Sequence, residues 1–197
     1  MKLQEAEAFI LNELRGKLSE TLYYHSVDHI LDVVEAVLRI AKAEGIEDEE
    51  TLNLLRTAAL FHDVGFLKTY AGHEEKGCEM VRMILPEFEY TEEQIAEICG
   101  MIRATKIPQT PTNKLEEILC DADLDYLGRD DFKAIAHYLF RELRERDMVK
   151  NEKIWNQIQV QFMENHQYWT PTSCRTREPK KREHLDHLQS VVDQENV

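Results

Sequence analysis

No stretch of this sequence stays apolar for the roughly 18 residues that a membrane-spanning helix requires. The opening Met1-Lys2-Leu3-Gln4-Glu5-Ala6-Glu7 lacks the basic region and apolar core of a secretory signal. Cysteine is sparse: Cys78, Cys99, Cys120 and Cys174 lie far apart, with no CxxC spacing. That argues against a disulfide framework or a structural zinc site, and free thiols suit a cytoplasmic protein. Positive charge is also short, with 24 Lys and Arg against 38 Asp and Glu and a formal net charge of −14. So acidic a chain is not expected to bind nucleic acid or an anionic membrane. A phosphorylated ligand would be repelled at long range and needs a local cationic focus. Alternating β-branched runs, internal repeats and low-complexity tracts are all missing.

Helical periodicity fills the space those absences leave. Apolar residues make up 43% of 197 residues, enough for one domain with a real core. Amphipathic segments cover 3–18 (Phe9, Ile10, Leu14, Leu18) and 27–44 (His29, Val33, Val37, Ile40). Asp48 is positioned to cap a third helix that Gly65 closes. A fourth runs from His73 to Leu85 and stops at Pro86. Thr91 with Gln94, and Asn113 with Glu116, have capping-box spacing for the fifth and sixth. Longer patterns span 131–149 and 152–167, and make a homodimer conceivable. The expected architecture is all-α: a single helical bundle over residues 1–169 and a basic C-terminal extension over 170–197.

His62-Asp63 breaks the pattern. Leu52, Leu55, Ala59 and His62 share one helical face, and Asp63 follows four residues after Ala59. A carboxylate beside a buried face costs several kcal/mol, on the order of an unpaired buried charge, unless something binds it. A divalent cation binds both groups. Two further segments have the same character. Tyr24-His25-Ser26-Val27-Asp28-His29 carries two histidines four apart, with rings offset by roughly 6 Å on one helical face. Leu119-Cys120-Asp121-Ala122-Asp123-Leu124 ends an apolar run in two aspartates. The three read as one metal site. By contrast His137 and His166 fit hydrogen-bonded core positions, and His184 and His187 a short amphipathic tail. Trp155, Phe162 and Trp169 read as packing residues, and Asp125, Asp130 and Asp131 as turn and cap residues.

The order His…His-Asp…Asp on helices resembles the HD-domain superfamily of metal-dependent phosphohydrolases. Tyr24, His25, His29, Asp32 and Val33 are similar to the opening motif of its cyclic-nucleotide phosphodiesterases. Ala59-Leu60-Phe61-His62-Asp63-Val64-Gly65 and Cys120-Asp121-Ala122-Asp123-Leu124 match as well, so the similarity spans roughly 20–130. The resemblance implies that His29, His62, Asp63 and one aspartate of the Asp121/Asp123 pair bind the metal. Asp123 is favoured by the Ala-Asp-Leu phrase and by its stripe with Leu115 and Leu119; Asp121 is the alternative. It further implies that His25 protonates the leaving oxygen. His73 resembles the histidine that extends the site to two metals in some subfamilies. The later paired histidine of those subfamilies is replaced here by Ile102-Arg103-Ala104-Thr105-Lys106. Arg103 and Lys106 are candidates to meet substrate phosphate instead.

The implied activity is hydrolysis of a phosphoester in a small phosphorylated molecule, with a nucleotide as expected substrate. Monoester, diester and pyrophosphate remain open. The expected cofactor is a divalent ion drawn from Mn, Fe, Co, Ni, Zn or Mg, able to bring a bound water's pKa from 15.7 to about 7. Asp63 is assigned a second role, orienting that water. The alternative is a metal-binding sensor without turnover. A third version, di-iron oxygen chemistry, would require His73 as a ligand. In the tail, Arg175, Arg177, Lys180, Lys181 and Arg182 form either a phosphate-binding flap or, as expected for a charge cluster, a solvated arm.

Overall fold

The computed structural model describes residues 1–195, and among them all regular structure is helical. Ten α-helices occur among the described residues: α1 (Leu3–Lys17), α2 (Val27–Ala43), α3 (Glu49–Phe61), α4 (His73–Ile84), α5 (Glu92–Ala104), α6 (Lys114–Asp123), α7 (Phe132–Glu145), α8 (Glu152–Asn165), α9 (Pro171–Thr176) and α10 (Glu178–Glu195). The chain forms two compact units, one from Met1–Ser19 with His25–Asp123, the other from Glu20–Tyr24 with the chain from Leu124 onward.

In the first unit α2 packs against α3 and α6, while α5 packs against α3, α4 and α6. Ile10, Ile30, Ile40, Leu55, Phe61, Ile98 and Ile118 are fully buried between them. The helix starts follow from short polar side chains. Ser26 accepts from the His29 amide at 3.4 Å, Asp48 from the Thr51 amide at 2.8 Å, and Thr91 with Gln94 closes a full capping box. At α6 the arrangement differs from the expected box. Asn113 does accept from the Glu116 amide at 3.1 Å, but the Glu116 carboxylate reaches the amide and hydroxyl of Thr112.

The third helix also ends earlier than Gly65. It stops at Phe61; Asp63 leaves helical geometry (φ −103°, ψ 6°), and Val64–Leu67 tightens into a 3-10 turn. The reason is a backbone contact. A Cβ at Gly65 would lie 1.9 Å from the carbonyl oxygen of His73, so the turn packs main chain to main chain against the start of α4.

In the second unit Tyr24, Leu127, Phe132, Phe140, Trp155, Met163 and Tyr168 form a separate core. Helix α7 ends at Glu145, short of residue 149, because Asp147 turns left-handed (φ 54°) and the Met148 amide closes onto the Leu143 carbonyl. The tail is a helix in contact with α8, not a solvated arm. Arg177 grips Asp125 with two bonds of 2.8 and 3.1 Å. Lys181 is 2% exposed and donates to the His166 carbonyl at 2.7 Å beside Glu178 at 2.9 Å. Asp125 opens the 3-10 turn Asp125–Gly128, as expected of a turn residue, and is also a buried clamp. Two members of the basic cluster, Arg177 and Lys181, are held by buried carboxylate and carbonyl oxygens.

Asp125→Ala strands the Arg177 guanidinium, and about 3 kcal/mol of stability should be lost. Urea unfolding of Asp125→Ala and of Asp125→Ala with Arg177→Met measures this, the double variant recovering part of the loss.

Candidate metal centre

Four helix ends supply the polar groups of the first unit. His29 sits in the first turn of α2, His62 and Asp63 follow the last turn of α3, His73 opens α4, and Asp123 ends α6. The two carboxylates therefore stand at helix C-termini, where the backbone dipole favours a cation.

The four groups converge. The Nε2 atoms of His29 and His62 face each other at 3.3 Å. Asp123 Oδ1 lies 3.2 Å from His29 Nε2 and 3.5 Å from His62 Nε2. Asp63 Oδ2 lies 3.6 and 3.3 Å from the same two nitrogens. The ligand atoms of His29, His62 and Asp123 all fall within 4.8 Å of one another. The His62 and Asp63 side chains are only 1% and 5% exposed. His62 Nδ1 donates to the Ala59 carbonyl at 2.7 Å, which fixes its tautomer and turns the Nε2 lone pair inward.

The charges do not close without a partner. Burial disfavours the imidazolium of His62, yet the charges of Asp63 and Asp123 outweigh it and raise the ring's pKa well above 6.5. Burial likewise works against ionised Asp63, but His62 and the neighbouring rings hold its carboxyl far below the ordinary range. Asp123 is depressed in the same way, against burial, by hydrogen bonding to His29 and His62. Within this cluster Asp63 Oδ2 is buried without a hydrogen-bond partner. Two neutral imidazoles and two carboxylates fit a dication.

The remaining candidate residues fall in three groups. His25 precedes α2, its ring centroid 6.1 Å from that of His29. His73 Nε2 reaches the other oxygen of Asp63 at 3.5 Å, and its Nδ1 faces the Tyr70 carbonyl at 3.2 Å, the same orientation that aims His62. Asp121 is fully buried two residues before Asp123, a step that turns the side chains some 200° apart on α6. Arg103 is engaged elsewhere, its guanidinium forked on Glu75 at 2.7 and 3.0 Å, and Lys106 is exposed. Contact with substrate phosphate would require the Arg103–Glu75 pair to open.

Sequence reasoning passed over Phe66, Tyr70 and Glu74. Phe66 lies 4.2 Å from the His25 ring and 3.9 Å from the His73 ring, and Tyr70 lies 5.2 Å from Phe66. Glu74 Oε1 is 3.7 Å from His73 Nε2. The available signal was an aromatic pair four residues apart, set between His62-Asp63 and His73.

The HD-domain family model matches residues 26–127, more than half of the chain and the stretch that holds all these residues but His25. Among solved structures, a predicted HD superfamily hydrolase from an uncultured Thermotogales bacterium is similar. Its identity is 24%, over 95% of this chain and 91% of that one, with a TM-score of 0.63. At that identity the likeness speaks to the fold alone. A search of curated proteins gives no match.

Two predictions follow from the geometry. Because His62 is raised in the metal-free fold, its contribution to stability is full below pH 6.5 and is lost as pH rises through the folded value. A dication needs the neutral ring, so binding releases a proton. The gain in Tm on adding Mn²⁺ to chelator-treated protein should therefore be larger at pH 8 than at pH 6. Thermal unfolding at the two pH values measures it. Separately, Gly65→Ala should displace the start of α4 and cost about 1–3 kcal/mol, read by chemical denaturation.

Proposed function

The chain belongs to the HD-domain family, and from that premise we propose that its site hydrolyses a phosphoester bond in a small phosphorylated molecule, a nucleotide being the substrate class. The observation that carries the reading is the convergence of His29, His62, Asp63 and Asp123 around a buried carboxylate oxygen that no hydrogen bond satisfies. These four residues would hold a divalent ion. When bound, such an ion activates water near neutral pH and offsets charge developing on the phosphoryl oxygens.

The chain's own residues supply the rest. Asp63 orients the attacking water, since its carboxylate spans the space between the His29/His62 pair and His73. His25 donates a proton to the leaving oxygen. His73 stands ready as a further ligand should a second ion bind. Arg103, released from Glu75, meets a substrate phosphate with its fork, and Lys106 adds positive charge. The strongly acidic remainder of the chain suits an enzyme for small molecules working in the cytoplasm, with neither nucleic acid nor membrane as partner. No helix among the described residues is long and apolar enough to cross a membrane.

A nucleotide panel and a generic phosphodiester, assayed with added Mn²⁺, test the reading. Asp63→Ala should lower kcat/KM on the order of 10²–10³-fold and reduce bound metal, measured by elemental analysis. His25→Ala should lower kcat by about 10²-fold or more with metal content retained. Tight nucleotide binding without turnover under every metal would instead favour a metal-binding sensor.

A further inference from the structure

Phe66 is a buried phenylalanine that belongs to neither hydrophobic core. The rings around this one are His25 at 4.2 Å with planes 32° apart, His73 at 3.9 Å with planes 20° apart, and Tyr70 at 5.2 Å. The two imidazoles stand 6.1 Å from each other, their planes 51° apart, and both lie against the single benzyl ring. Phe66 is carried by the 3-10 turn Val64–Leu67, whose backbone is pressed onto the first residue of α4 through Gly65. Its position is therefore tied to that of His73 through the main chain as well as through the rings.

From this arrangement we infer that Phe66 is a positioning residue: its flat ring, stacked on His73 and tilted against His25, holds both imidazoles in place beside the metal cluster, adding to the hold of the Tyr70 carbonyl on His73. The inference rests on the reading of His25 as proton donor. An imidazole turns broadly about its outer side-chain torsion, and volume alone does not fix that angle. An aromatic plane laid against the ring limits it, at His73 together with the Tyr70 carbonyl. Leucine would occupy similar space without offering a plane, whereas tyrosine would keep one.

The test compares wild type, Phe66→Leu and Phe66→Tyr as full chains. In the zinc-loaded and the metal-free protein, the ring protons of two histidines should resonate upfield from the benzyl ring current. They should return towards ordinary positions in Phe66→Leu and stay shifted in Phe66→Tyr. In turnover assays Phe66→Leu should lose kcat by about 10- to 100-fold, with KM, bound metal and Tm retained, and Phe66→Tyr should restore most of it. Histidine shifts at ordinary positions in wild type would overturn the inference. So would a Phe66→Leu enzyme with undiminished kcat, or one whose loss merely tracks lost metal or lost fold. The shifts are read without substrate. Absence of turnover in wild type would thus defeat the functional reading while the spectra still decide the stacking.

Discussion

Negative charge held out of water is the constraint from which the first unit is built. Asp63 and Asp123 are ionised against the opposition of burial, and each depends on the same two imidazoles to remain so. Neither carboxylate could stand alone at such a position, since an isolated buried charge costs far more than a typical residue contributes. The four side chains are therefore stable only as a set. Everything that fixes their relative places, from the Ser26 cap on α2 to the Ala59 carbonyl behind His62, serves that mutual compensation.

Placing the set at helix ends has a chemical logic. A residue in the middle of a helix is surrounded by its own turns, while one at a terminus can approach others closely without steric conflict. The abrupt stop of α3 at Phe61 exposes His62 and Asp63 together, and the following 3-10 turn brings Phe66 back towards His73. The two oxygens of Asp63 then face different partners: one meets the His29/His62 pair, the other His73. A single carboxylate thereby links the cluster to a flanking imidazole, which is how the site can be extended without a new acidic residue.

How much of this was legible in the sequence depended on the range of the interaction. His29, His62 and Asp123 stood out because each interrupts an apolar stripe on its own helix, a pattern visible within a dozen residues. The helix starts were legible for the same reason, since a cap and its amide are three residues apart. The break after Phe61 was not. It is imposed by the His73 carbonyl, eight residues further on, pressing against Gly65. Asp125 was legible as a turn residue but not as a clamp, because its partner Arg177 lies 52 positions away. Lys181 looked solvated because nothing near it in sequence announces the His166 carbonyl that accepts its hydrogen bond. Arg103 was a candidate to meet substrate phosphate; what the sequence did not show is that a carboxylate from another helix occupies its fork. That three distant motifs meet was read from their shared character, and the family resemblance supported it.

The contact between Gly65 and the His73 carbonyl carries a consequence for how such a chain can vary. No side chain, however small, fits at residue 65 while α4 begins where it does. A descendant that gains a methyl group there must also relocate the helix bearing His73, and with it the imidazole beside Asp63. The two positions can drift only in concert, so the missing atom at one is as much an inherited part of the site as the ring at the other.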